Sequence, residues 1–510
     1  MRCPAKSFAI LEGRGAMGGT WDLFRYPGVR SDSDMYTLGY RFRPWSDPKA
    51  IADGPAILEY IRETAAEYDL DKEIRYNHRV RRAEWSSADS RWTVEVEINE
   101  AQMQKPAREQ GRNGHAAESP DSVGSSHVSK VSTLPNDNVR ESTDHNSEQT
   151  NRTGLFTCSF LYLCTGYYEY ESGYTPEWPG FENYKGTMVH PQKWPEDLDH
   201  SGKRVIVIGS GATAVTLVPA MAGKARHVTM LQRSPTYVVS LPARDNIANF
   251  LRAALPLKAA YAISRWKNIL WGMFFYALSR KRPETMKRIL AKGVRKELGE
   301  EYAEKHFKPR YNPWDQRLCL VPDSDLFAAI REGRASVVTG HIETFTESGV
   351  RLTTGEQLDA DIIVTATGLV LKIMAGLQLV VDGELVDLSK KLAYKGMMYS
   401  DVPNLAQAFG YTNASWTLKC DLTAEYVCRL LSHMDRHGYA QCTPRLDDPS
   451  VKPEPVIDFT SGYVQRALQT LPSQGSKAPW RLHQNYIKDI ALMRRGALED
   501  GAMEFKRGNR

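Results

Sequence analysis

Cysteine is scarce in this chain, and so is everything it could organise. Seven cysteines are scattered at positions 3, 158, 164, 319, 420, 428 and 442 of 510 residues, an odd count with no C-x-x-C. That spacing gives no disulfide framework and no metal site, and it predicts a reducing, cytoplasmic setting. Long basic runs are missing as well. The net charge is +5, too small and too dispersed for a nucleic-acid surface. Met1–Glu12 contains no apolar stretch of signal-peptide length. The longest apolar run, Ile269–Leu278, is about half of what a membrane crossing needs. Arg265, Lys267, Arg280, Lys281 and Arg282 flank it. The run predicts a buried helix within a helical insertion, with peripheral contact to a membrane surface as the competing reading. Residues 101–150 lack aromatics altogether and are dense in Ser, Asn, Glu, Gln, Asp and Gly. Such a tract buries too little apolar surface to offset its ordering entropy, which predicts a disordered loop inserted between two strands.

What is present is a βα alternation long enough for two or three cores. Residues 7–12 (SFAILE) predict a short buried strand and residues 56–68 a helix. Arg91–Asn99 alternates, with Trp92, Val94, Val96 and Ile98 on one face, and Leu155–Cys164 resumes an apolar strand. A basic helical region covers about 245–310, strand signals return at 335–366, and helices are expected from Asp421 onward. This order predicts an α/β fold of parallel sheets with helices on both faces.

The sharpest motif is Gly209-x-Gly211-x-x-Ala214, between the apolar strand Val205–Ile208 and an Ala/Val/Leu helix. Gly209 permits a tight turn, and Gly211 lets the backbone approach a pyrophosphate. Ala214 allows the helix to pack on the strand, and the helix N-terminus favours the phosphate charge. The next strand, His227–Leu231, runs into Gln232-Arg233-Ser234 with no acid. A carboxylate there would hold the ribose 2′-hydroxyl of NADH, whereas Arg233 suits the 2′-phosphate of NADPH. A second nucleotide segment starts where Ile10-Leu11 ends in Glu12, as a ribose-binding strand does, and is followed by Gly18-Gly19-Thr20-Trp21. A complete unit has a strand and glycine-rich turn about 20 residues before that acid. Only eleven residues precede Glu12, none of them glycine. The expectation is an FAD domain lacking its first strand and phosphate loop, with upstream coding sequence lost.

Tyr184-x-Gly186-x-x-x-His190-x-x-x-Trp194-Pro195 then matches a long family signature, with Tyr for its first Phe. With GGTWDLFRYPGVRSDSDMYTLGYRFRPW, YNPWDQRLCLVP and GYTNASWTLK, the chain resembles class B flavin-dependent monooxygenases of the Baeyer–Villiger group. The resemblance covers nearly everything outside 101–150. It implies two Rossmann-like dinucleotide-binding domains: FAD (1–171 and 360–510) around NADPH (172–359). Cys164-Thr165-Gly166 and Ala366-Thr367-Gly368 match the strands that cross between them. By resemblance, Glu12, Gly18, Gly19, Thr20, Trp21, Asp22, Leu23, Asp32 and Val80 line FAD. Arg30, Ser31 and Asp32 approach the nicotinamide end of NADP, while Gly209, Ser210, Gly211, Ala212, Thr213, Ala214, Val215, Gln232 and Arg233 hold the rest. Arg317 matches the family's active-site arginine, Asp32 the acid that orients it, and His190 a group coupling domain motion.

The resemblance implies an NADPH- and O₂-dependent enzyme that inserts one oxygen into ketones through a C4a-peroxyflavin. Sulfur or nitrogen oxygenation by the same chemistry is the nearest alternative. An NADP-binding protein without flavin is the alternative from another class, motivated by the missing phosphate loop.

Overall fold

The computed structural model describes residues 3–99 and 151–508, so the insertion expected at 101–150 lies outside the described residues. The strands on either side of it, Arg91–Asn99 and Asn151–Cys158, are antiparallel neighbours, as a loop inserted between two strands requires. They belong to a five-stranded sheet in the order 384–385, 378–381, 78–86, 91–99, 151–158. The alternating face of Arg91–Asn99 turns inward, where Trp92 sits opposite Trp85 and both are fully buried. Each Trp removes about 150–250 Å² from water, which makes this pair the anchor of its core.

Residues 7–12 differ from expectation. Only Ile10–Leu11 is a strand, and Phe8 and Ile10 are exposed rather than buried. The cause is pairing: Ile10–Leu11 bonds in parallel to Ile74–Arg75 on one side, and no described strand covers the other. Leu161–Leu163 likewise pairs only with Leu405–Gln407, and the apolar run at 155–164 is broken before it.

The second half is built on a five-stranded parallel sheet. Its strands are β1 (Thr187–Val189), β2 (Arg204–Ile208), β3 (His227–Gln232), β4 (Ala335–Thr339) and β5 (Ile362–Thr365). Their order is β4-β3-β2-β5-β1. Val205, Val207, Val228 and Val364 are all buried, as expected where both faces of a parallel sheet are covered. Helix α1 (Ala212–Ala222) connects β2 to β3 and buries Ala214, Val215, Leu217, Val218 and Met221 against them.

Between β3 and β4 lie five helices, the first four being α2 (Asn246–Ala254), α3 (Leu257–Lys281), α4 (Pro283–Leu298) and α5 (Glu300–His306). The helical insertion is as expected, but the run Ile269–Leu278 is not buried. Within it only Ile269 is, while Leu270, Trp271 and Phe274 face outward. Helix α6 (Asp325–Arg331) then leads into β4. Helices do not dominate after Asp421 either. One long helix, α7 (Trp416–His437), is followed mostly by short strands and loops rich in Pro and Gly. Among the described residues no helix is long and apolar enough to cross a membrane, and no His/Cys/Asp/Glu group could hold a metal.

Candidate functional site

The turn between β2 and α1 has the geometry that a diphosphate needs. Gly209 has φ +135°, and a Cβ there would lie 2.3 Å from the Ala366 carbonyl, so no other residue fits. Its N–H donates to the Leu231 carbonyl at 2.8 Å, which fixes the turn to β3. Gly211 is the N-cap of α1, and a Cβ there would touch nothing within 4 Å, leaving the helix N-terminus open to a ligand. Ser210 shares a hydrogen bond of 2.8 Å with Thr236. Ala212 is exposed, Thr213 half-buried, and Ala214 and Val215 buried in the helix–sheet contact. At the end of β3 the two expected residues separate. Gln232 points inward, donating to the His306 carbonyl at 2.7 Å and to Thr339 at 2.9 Å. Arg233, one residue later, is exposed.

A second cluster forms around Glu12. Its carboxylate accepts the Arg14 N–H at 2.9 Å, and its carbonyl accepts the His78 N–H, which brings Val80's strand alongside. Burial raises the Glu12 carboxyl above its usual range. Gly18 and Gly19 follow with positive φ and lead into a single helical turn, Thr20–Leu23. Thr20 bonds Tyr168 at 2.6 Å, and Trp21 packs beside Tyr36 and Tyr60. The Asp22 side chain is buried and already engaged by Arg14 (2.7 Å), Arg25 (3.0 Å) and Arg62 (3.7 Å), so it holds the turn rather than facing a ligand. Among the described residues the buried Thr165 hydroxyl has no partner, and neither does the buried side-chain amide oxygen of Asn77. Orphaned polar atoms of this kind suit a bound polar molecule.

The two clusters are joined by residues 26–32. Gly28 (φ +76°) lies so close to α1 that a Cβ would meet Ala220 at 2.6 Å. This approach lets Tyr26 reach Thr213, and burial pushes the Tyr26 phenol up to about 12. It also lets Arg30 pair with Asp325 at the start of α6, 2.5 Å away. Ser31 is buried and caps its own turn, donating to the Ser33 carbonyl at 2.7 Å.

Asp32 then pairs with Arg317, Nε to Oδ2 at 2.8 Å. Arg317 comes from a loop fixed on two sides. Its neighbour Asp315 accepts from Arg280 of α3 at 2.8 Å, and the Asp315 carbonyl accepts the Thr460 N–H. Asp32 holds the guanidinium pKa well above its ordinary value. Tyr167 and Tyr463 lie within electrostatic reach of the pair, and burial raises both phenols. Cys319 is buried nearby, with its thiol pushed up to about 12 by desolvation. The result is a fixed cation, oriented by one carboxylate, in a pocket of neutral phenols and a neutral thiol.

Sequence reading missed Tyr167, Tyr463 and the Arg30–Asp325 pair. Tyr167 directly follows Cys164-Thr165-Gly166, which was a usable signal. Tyr463 and Asp325 lie in segments with no motif. His190 is positioned by its linker: its Nδ1 accepts the Gln192 N–H at 3.2 Å, and its ring packs on Gly173.

Comparison with known proteins identifies the family. The flavin-binding monooxygenase-like family matches residues 126–382. The FAD-containing monooxygenase EthA of Mycobacterium tuberculosis is 50% identical over 506 residues, covering 99% of this chain and 93% of that protein. The probable FAD-binding monooxygenase AlmA of Acinetobacter baylyi is 43% identical, covering 98% and 91%. The open crystal structure of cyclohexanone monooxygenase superposes with a TM-score of 0.69 at 17% identity, covering 98% of this chain and 94% of that one. An oxidised steroid monooxygenase bound to NADP gives 0.66 at 20% identity, covering 98% and 95%. The chain belongs to the flavin-binding monooxygenase-like family and has the fold of Baeyer–Villiger monooxygenases.

Proposed function

We propose that this chain is an NADPH- and O₂-dependent FAD monooxygenase of Baeyer–Villiger type, inserting one oxygen into small-molecule ketones to give esters or lactones. The observation that carries this reading is the Arg317–Asp32 pair at 2.8 Å, between the two nucleotide clusters.

The residues present fit both cofactors. The β2–α1 turn offers open backbone N–H groups to a diphosphate, and Arg233 is a free cation for a 2′-phosphate. Glu12, Gly18–Leu23 and the orphaned Thr165 hydroxyl fit the ribose and middle of FAD. Bound flavin, reduced by NADPH, would supply the activation of O₂ and the oxygen transfer.

The chain's own residues do the electrostatic work. Arg317 is held as a cation, so it stabilises negative charge that develops on a ketone oxygen, where a neutral donor would do less. Asp32 sets the direction of the guanidinium and keeps it from turning to other acceptors. Tyr167, Tyr463 and Cys319 remain neutral, so among these neighbours Asp32 alone is an anion. The Arg30–Asp325 pair ties residues 26–32 to the start of α6.

The test is to supply purified chain with NADPH, O₂ and either a cyclic ketone or a thioether, and to measure lactone against sulfoxide. Lactone formation that falls by about 10²–10³ in Arg317→Ala, with NADP⁺ affinity retained, is the expected result. Sulfoxide alone, equally fast in Arg317→Ala, would refute the ketone reading.

A further inference from the structure

Helix α3 carries apolar residues on both of its faces. An amphipathic surface helix normally turns apolar residues inward and charges outward. Here the inward face buries Ala260, Tyr261 and Ile269, but it also holds Ser264 and Arg265, both buried, with Asn268 half-buried beside them. The Arg265 guanidinium donates to the Tyr36 carbonyl at 2.7 Å and the Gly39 carbonyl at 2.8 Å, and Asn268 donates to Asp34 at 2.9 Å. The outward stripe, stepping by three and four residues, reads Ala259, Ile263, Trp266, Leu270, Phe274 and Ala277. All are exposed and none is polar. Trp271 is 60% exposed beside this stripe, and on neighbouring α2 Phe250 is 71% exposed. A contiguous apolar patch of this kind marks a contact surface.

The charge around the patch identifies its occupant. Between Asp245 and Glu284 the chain carries no acid and seven Lys/Arg. Lys267 and Arg280 are neutralised by Asp245 and Asp315. Lys258 at one end of α3, and Lys281 and Arg282 at the other, are exposed. A second copy of the chain laid face to face would bring these basic ends together, and the nearby Glu284 is already paired with Lys287, which opposes self-association. An anionic bilayer surface satisfies both features. It accepts Trp, Phe and Leu at the headgroup–acyl boundary and attracts the flanking cations.

We infer that the exposed face of α2 and α3 is a docking surface for an anionic lipid bilayer, which the chain contacts without crossing. This inference does not depend on the oxygenase reading. It has one structural consequence for it: the inner side of the docking helix grips residues 34–39, just after Asp32.

Co-sedimentation tests the inference, using the full chain and vesicles of phosphatidylcholine with or without a third of phosphatidylglycerol. The chain is expected to sediment with the anionic vesicles, far less with pure phosphatidylcholine, and less as salt is raised. Phe250→Ser/Leu270→Ser/Phe274→Ser should lower the partition coefficient by roughly tenfold for each side chain removed. Its thermal midpoint should hold, since all three side chains are exposed. Lys258→Glu/Lys281→Glu should abolish the preference for anionic vesicles. Absence of wild-type binding, or binding unaffected by the triple substitution, overturns the inference. So does concentration-dependent dimerisation, read by sedimentation velocity without vesicles, that the triple substitution removes.

Discussion

Replacing Arg233 by alanine should convert coenzyme choice without harming the fold. Arg233 follows β3, whose last residue, Gln232, is anchored by His306 and Thr339, so the backbone at 233 is fixed independently of the arginine side chain. Arg233 is exposed and has no ion-pair partner among the described residues, so its removal orphans no carboxylate. A charge-assisted hydrogen bond to a phosphate contributes about 1.5–3 kcal/mol, and exposure with salt screening places this one in the lower half. About 1.5–2.3 kcal/mol corresponds to about a 10- to 50-fold weakening of NADP⁺ binding. NAD⁺ has no 2′-phosphate, so its affinity should stay within about twofold. Calorimetry of the purified chain with NADP⁺ and with NAD⁺, at one fixed ionic strength, reads both directly and needs no turnover. Arg233→Lys should fall between wild type and Arg233→Ala, keeping the charge but losing the fork. If the alanine variant weakens both coenzymes equally, Arg233 acts on the turn and not on the phosphate. If NADP⁺ binding is unchanged, the 2′-phosphate argument fails.

Two further expectations concern stability. Lys419 and Asp489 form a buried pair at 2.8 Å, with side chains 6% and 3% exposed, and Tyr411 also donates to Asp489. Asp489→Asn leaves a buried ammonium that burial already disfavours, and should cost about 3–5 kcal/mol in chemical denaturation. The double change Lys419→Met/Asp489→Leu should cost far less, and equal losses in the two variants would refute the pairing argument. His306 is buried beside Thr339, and desolvation lowers its pKa to about 4 from an ordinary value near 6.5. Its folded pKa is depressed, so the unfolded chain binds the proton first. Stability is therefore full above about pH 6.5 and lost as pH falls toward about 4, at up to about 1.4 kcal/mol per unit. His306→Gln should flatten that acid limb by roughly 1–2 kcal/mol between about pH 7 and about pH 5. Parallel curves for variant and wild type would show that His306 does not titrate there.

The features legible in the sequence share one property: their physics is local. The Gly209–Ala214 turn was readable because tight geometry, close backbone approach and helix packing each demand a particular small residue within one strand–helix connection. Arg91–Asn99 was readable because period-two burial is written along the strand itself. Helix α3 shows the limit. Its apolar stripe was read as core, because periodicity reveals that a helix has two faces but not which one is covered. The covered face is the one that carries Arg265, selected by carbonyls of residues 36–39 that are distant in sequence. The same limit hid part of the surroundings of Arg317: Asp32 was matched, but Tyr167 and Tyr463, each contributing a single distant side chain, were not. Residues 7–12 failed for a related reason: an apolar run becomes a buried strand only when both neighbours exist to pair with it.

The ion pairs that join the two halves are too weak to act as glue, and this bears on how the site works. Arg317 and Asp32 are each about one-third exposed. Arg30 is more enclosed, but its partner Asp325 is similarly open. Exposed or half-exposed pairs typically contribute about 0–1 kcal/mol. Together they add less than one well-buried Leu or Phe, so the packing of Gly28 and Tyr26 on α1 dominates the contact. What the pairs supply is direction. Each fixes a guanidinium to a carboxylate on the opposite half, so the pairs are satisfied together only when residues 26–32 are seated. Contacts of this kind orient Arg317 and Arg30 without holding the two halves together by themselves.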